Sequence, residues 1–211
     1  MFGFTIPILL GRVIGLVVGF TIHEWAHAWS AYRLGDNTAY YQGRLTFDPR
    51  AHLEPIGIFL ALFAGFGWAK PVPVNPAAFY PNEKRGLVIV SIAGPLTNLL
   101  LAIAVGVVLR VLLAGDVVGD FVYTLVGTIV LFNLVLFLFN LIPLAPLDGY
   151  KIAVGLLPRE QSAAMSRYER ETTLILMLLV ILGAMGRVSP LWLILGPPLS
   201  FLFNLIVGVG L

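Results

Sequence analysis

The sequence predicts an all-α polytopic membrane protein of about five to six hydrophobic segments, with a three-helix core, one short re-entrant segment and a small β-hairpin. Three observations carry that reading. Hydrophobic residues make up 59% of the 211 and charged residues only 11%, whereas soluble domains carry about 25% charge. Mean hydropathy is +0.94. Apolar runs of roughly 20 residues, long enough to cross hydrocarbon, recur along the chain. These values exclude a water-soluble globule and make the lipid bilayer the expected surrounding. A net charge of +2 is too small to argue for nucleic acid, and none is expected as a partner. With no cysteine there is no disulfide and no thiolate ligand.

The first helix is expected over 6–33 and is read as a retained membrane helix, since no basic flank precedes it. A polar stretch follows over 34–54. Within it Tyr40-Tyr41-Gln42-Gly43-Arg44-Leu45-Thr46-Phe47 reads as a hairpin or edge strand turning at Gly43. Residues 55–68 are apolar but short for a span and interrupted by Gly57, Gly65 and Gly67, which suits a re-entrant segment. A proline-rich loop, Lys70 to Pro76, leads to a second long helix over 87–114. An acidic link from Asp116 to Asp120 separates it from a third over 121–142. Two more hydrophobic segments, about 172–186 and 190–210, follow a polar stretch. The division expected is a core over 1–155 and a C-terminal part over 156–211.

Charge sets orientation. Arg33, Arg44, Arg50, Lys70, Lys84, Arg85, Lys151, Arg159, Arg167 and Arg170 fall in or beside three polar stretches, and the 115–120 link holds only acids. The positive-inside rule places the three stretches in the cytoplasm of a multi-pass protein, provided that 55–68 returns to its own side.

The most informative residues are His23-Glu24-Trp25-Ala26-His27, inside the first apolar run. On a helix, residues four apart share a face. His23 and His27 can therefore grip one metal ion, with Glu24 beside them to take a proton from metal-bound water. Charged residues at a membrane helix centre cost about 2.5–3.5 kcal/mol each, so a chance pattern is hard to rationalise. A catalytic zinc needs a third protein ligand and one open position. The candidates, in order, are Asp148, Glu54 and His52. Asp148 lies in Asn140-Leu141-Ile142-Pro143-Leu144-Ala145-Pro146-Leu147-Asp148-Gly149, where the prolines disrupt a helix end and glycine permits a bend. Taken alone, Asp148-Gly149 is also a common turn pair.

Together these residues resemble the site-2 protease family of intramembrane zinc metalloproteases, in its compact form without accessory domains. The resemblance rests on His23 to His27 in a membrane helix and on Asn140 to Gly149, which is similar to that family's Asn-x-x-Pro…Asp-Gly element. Gly94-Pro95-Leu96-Thr97-Asn98 and Gly67-Trp68-Ala69-Lys70-Pro71-Val72-Pro73-Val74-Asn75 reinforce it. It covers residues 10–155. It implies one Zn2+ held by His23, His27 and Asp148, Glu24 as general base and acid, and zinc-bound water as nucleophile. The expected reaction is hydrolysis of peptide bonds within or near transmembrane segments of a membrane-anchored substrate. One departure is Ala145-Pro146 where many members have Asn-Pro, which leaves Asn140 as the candidate substrate-binding amide, with Asn98 a second. Asn140 suits helix packing equally, and Asn98 with Gly94 and Pro95 suits close packing beside the site. The competing functions are zinc binding or transport, and a non-cleaving protein that binds transmembrane segments. Transport favours several intramembrane acids along a path, and 87–114 and 121–142 have none.

Overall fold

The computed structural model describes residues 5–57, 59, 67–185 and 189–210. Its helices are α1 (Ile6–Arg33), α2 (Thr38–Tyr41), α3 (Glu83–Ala114), α4 (Asp120–Asn140), α5 (Asp148–Leu156), α6 (Arg159–Arg167), α7 (Glu169–Met185) and α8 (Pro190–Val207). Four of them, α1, α3, α4 and α8, are long and apolar enough to cross a membrane. Of the five to six hydrophobic segments expected, these four are long enough to span among the described residues. Helix α7 has 17 residues and opens on Glu169-Arg170-Glu171, so its apolar part falls short of a crossing of roughly 20 residues.

Helices α1, α3 and α4 pack against one another, and α8 joins α3 and α4. Between these last three sits the largest buried group, including Leu109, Val130, Leu134, Leu199 and Phe203. Residues such as Val108, Val111, Ile194 and Phe201 point outward, as lipid-facing side chains of spanning helices do. A ridge of small residues on α1 brings it close to α4. A Cβ on Gly11 would meet Leu125 and Thr128, one on Gly15 would meet Ile129 and Phe132, and one on Gly19 would meet Asn133 and Leu136. Both series rise together, so α1 and α4 run parallel. This is small-xxx-small packing, in which van der Waals contact replaces the hydrophobic drive absent from lipid. Continuing the same four-residue step reaches His23 and His27.

Helix α3 runs the other way: His27 meets Val90, while Gly19 meets Asn98. Helix α1 therefore ends and α3 begins at the same end of the bundle, and Leu53 pairs with Ala69 in an isolated antiparallel bridge. The re-entrant segment expected over 55–68 lies largely outside the described residues.

The hairpin expected over 40–47 is corrected. Residues Thr38–Tyr41 are helical, and no strand forms among the described residues. Asp36 accepts from Thr38 N–H and so starts the turn. Tyr41, Gln42, Gly43 and Arg44 then bond to carbonyls three to five residues back. Local bonds satisfied the backbone, and no facing strand was present to reward the β-propensity of the tyrosines. The segment 67–75 forms no helix and carries the Ala69 bridge to Leu53.

Candidate metal centre

Helix α1 presents His23 and His27 one turn apart, both buried. Asp148 reaches them from the first turn of α5, after a loop broken by Pro143 and Pro146. The unwound placement expected for it is thus refined: the carboxylate begins a helix, where the amide dipoles favour negative charge. His23 Nε2 and His27 Nε2 each lie 3.1 Å from Asp148 Oδ2, and 3.0 Å from one another. These are the described residues whose donor atoms cluster as a metal-holding group. His52 and Glu54 stand outside it. His52 is fully buried, its Nε2–H donates to the Thr46 carbonyl at 2.8 Å, and its own carbonyl accepts from Lys70 N–H. It fastens the loop.

The far sides of both imidazoles are tied down. His27 Nδ1 lies 2.7 Å from the Val90 carbonyl, which can only accept, so Nδ1 carries the proton. His23 Nδ1 lies 2.7 Å from Asn98 Oδ1. The Asn98 amide nitrogen donates to the Gly19 carbonyl and to Asn133 Oδ1, each at 3.1 Å. Asn133 donates in turn to the Ile129 carbonyl. That chain fixes the Asn98 oxygen toward His23. In the neutral rings both Nε2 atoms are then lone pairs.

Two nitrogen lone pairs and a carboxylate oxygen converge. Such a triangle is repulsive unless a cation stands among its corners. Zinc bonds of about 2.0–2.1 Å in tetrahedral array set ligands roughly 3.3–3.4 Å apart, close to the spacing found. The donors fit one zinc ion, with outer partners that orient both rings.

Glu24 is buried and its Oε2 accepts from Val72 N–H at 3.1 Å. Pro71 and Pro73 have no N–H, so Val72 is the single donor of that stretch. Arg44, also buried, donates to the carbonyls of Lys70 and Pro71. Burial lowers its guanidinium and the charge of Glu24 counters this. The three ligands and Glu24 open on a cavity of about 840 Å³, walled by Trp68, Val72 and Val74 on one side and by Leu176, Met177, Val180 and Ile181 of α7 on another. Asn140 lines this cavity and donates to the Leu136 carbonyl at 3.0 Å. Asn98 is fully buried and holds His23 instead.

Sequence reasoning passed over Arg44, Val72, Asn133 and Lys151, whose Nζ is 3.6 Å from Asp148 Oδ1. The prolines flanking Val72 were a usable signal, because they single out one N–H. The four-residue step of Gly11, Gly15 and Gly19 into the histidines was another.

Curated proteins resemble the chain. It is 46% identical over 175 residues to "Putative zinc metalloprotease YwhC" of Bacillus subtilis, covering 80% of this chain and 79% of that protein. It is 32% identical over 144 residues to "Putative zinc metalloprotease Rip2" of Mycobacterium tuberculosis, covering 65% and 54%. "Putative zinc metalloprotease MJ0611" of Methanocaldococcus jannaschii is 28% identical over 161 residues, covering 71% and 72%. No family model matches the chain, and no solved structure does. The extent of the first match, together with the motifs of the metal centre, shows that the chain belongs to the site-2 protease family.

Proposed function

We propose that this protein is an intramembrane zinc endopeptidase that cleaves transmembrane segments of membrane-anchored substrates. The observation that carries the reading is the convergence of His23 Nε2, His27 Nε2 and Asp148 Oδ2 at 3.0–3.1 Å with both Nδ1 atoms tied to acceptors. The relatives' names support metalloprotease chemistry, and four apolar helices support a membrane setting.

Bound zinc would supply Lewis acidity and an acidified water molecule. Glu24 takes a proton from the attacking water on the oxygen not held by Val72 and returns it to the leaving nitrogen. Val72 N–H keeps that carboxylate aimed. Asn98 and Val90 keep both imidazoles facing the ion. Asn140, on the cavity wall, offers an amide to the substrate backbone.

A substrate helix must unwind to expose a carbonyl, and each exposed backbone group costs several kcal/mol in hydrocarbon unless it is satisfied. The segment 67–75, which lines the cavity through Trp68, Ala69, Val72 and Val74, offers backbone partners for strand addition. Substrates with a weak helical spot near the basic end of the membrane are favoured. The positive-inside bias supports a cytoplasmic position for the centre.

The test is incubation of detergent-purified protein with a panel of transmembrane peptides, with and without a chelator. Cleavage is expected only with metal, and Glu24→Gln is expected to abolish it while metal stays bound. Equal peptide turnover by wild type and Glu24→Gln would overturn the proposal.

A further inference from the structure

The cavity beside the metal centre is apolar apart from a few groups, and its charges do not balance. Its described lining contains two carboxylates, Glu24 and Asp148, and one cation, Lys151. A divalent ion between the neutral imidazoles is matched by those two carboxylates. Lys151 is then one positive charge in excess among the groups that line the cavity. It stands three residues after Asp148 and on the same side of α5. Its ion pair with Asp148 is loose at 3.6 Å, and its side chain is 46% exposed against 7% for Asp148. Asp148 Oδ2 faces the histidines while Oδ1 faces Lys151. The ammonium thus stands one carboxylate width beyond the ligand oxygen, with donors left over for something that enters the cavity.

We propose that Lys151 is a specificity-determining residue that binds a carboxylate of the substrate close to the bond being cut. This rests on the peptidase reading. An extended chain advances about 3.3–3.6 Å per residue, so the group it meets lies within a few residues of that bond. Two sources offer the same chemistry: an Asp or Glu side chain at the edge of the transmembrane segment, or a free C-terminal carboxylate. An apolar segment alone leaves the lysine unmatched. One that brings a carboxylate neutralises it and seats the neighbouring backbone over the metal centre.

Lys151 is half-exposed on a helix surface, so substitution there leaves the core intact. The test uses zinc-loaded protein and peptides of one transmembrane sequence with Glu, Gln or Lys at a single flanking position. A further pair ends nearby in a free acid or an amide. Binding is measured on Glu24→Gln, cleavage on protein with Glu24 intact. The Glu peptide is expected to bind roughly tenfold tighter than the Gln peptide, the scale of one well-placed charge pair. That ratio should persist in Lys151→Arg, vanish in Lys151→Gln and turn toward the Lys peptide in Lys151→Glu. The acid–amide pair tells which source of carboxylate is used. A Glu/Gln ratio that is unity in wild type, or unchanged in Lys151→Glu, overturns the proposal. Charge-selective binding without any cleavage by wild type would instead overturn the peptidase reading and leave the carboxylate site standing.

Discussion

Gly94 passes so close to His27 that a Cβ built on it would stand 2.5 Å from Nε2, and 2.7 Å from Nε2 of His23. These are the two nitrogen atoms that face Asp148. The glycine of the Gly94-Pro95 pair is therefore part of the metal centre by being absent from it. A methyl group there must push both imidazoles off Asp148 or push α3 away from α1. Gly94→Ala is expected to lose zinc at least tenfold in affinity while the protein still extracts as a folded species. Zinc per chain after gel filtration is the measurement, and full occupancy in the variant would refute the packing argument.

Asn98 gives the second expectation. Its oxygen holds His23 at 2.7 Å and its nitrogen is anchored by Gly19 and Asn133. Partners behind a ligand histidine typically contribute 10–100-fold in metal affinity. Asn98→Ala should fall in that range, and Asn133→Ala should give a smaller loss in the same direction, because it only releases the Asn98 nitrogen. Competition with a zinc chelator reads both. A substrate-contacting Asn98 would instead raise KM and leave zinc affinity unchanged.

Arg44 tests the alignment of Glu24. Its guanidinium bonds the carbonyls of Lys70 and Pro71, the two residues before Val72, and Val72 N–H holds Glu24 Oε2. Arg44→Ala frees the 70–72 stretch, so kcat is expected to drop by about tenfold or more, within the range general acid–base catalysis contributes. Zinc affinity should not move. Arg44→Lys should recover little, since one ammonium cannot replace a planar fork that bonds two carbonyls. Loss of zinc in Arg44→Ala would show that the residue supports the fold more widely than argued.

The ligand pair was legible in the sequence because helical spacing alone puts His23 and His27 on one face, and a spanning helix leaves few other conformations. Asp148 became legible only through its motif, since no periodicity connects α1 to a residue more than 120 positions later. What stayed hidden was whatever depends on close approach between elements. The Asn98 oxygen reads as helix packing until α3 is seen antiparallel to α1, and Arg44 reads as a topology charge until 70–72 folds back over it. The hairpin over 40–47 failed for a related reason. Strand pairing needs a partner supplied by the tertiary fold, whereas the bonds from Thr38 N–H to the Asp36 carboxylate and from Arg44 N–H to the Ala39 carbonyl are local. Hydropathy over 172–186 marks the apolar part of α7 but not its charged first turn, Glu169-Arg170-Glu171, which joins the same helix.

Metal removal should reveal how much of the fold the centre holds. Without a cation, His23 Nε2, His27 Nε2 and Asp148 Oδ2 face each other as acceptors at 3.0–3.1 Å, and the junction of α1 with α5 is pushed apart. A ligand present at 100 times its Kd stabilises the folded state by about 2.7 kcal/mol if the unfolded chain does not bind it. Chelation of the purified protein is therefore expected to lower Tm by several degrees, and added zinc should restore it. Glu24→Gln should show the same shift, because Glu24 is no ligand. Asp148→Ala should show almost none, because its site cannot close around the ion. Light-scattering and tryptophan-fluorescence melts in one detergent would read all three. Should Asp148→Ala respond to chelator as strongly as wild type, the stabilising metal sits elsewhere in the protein.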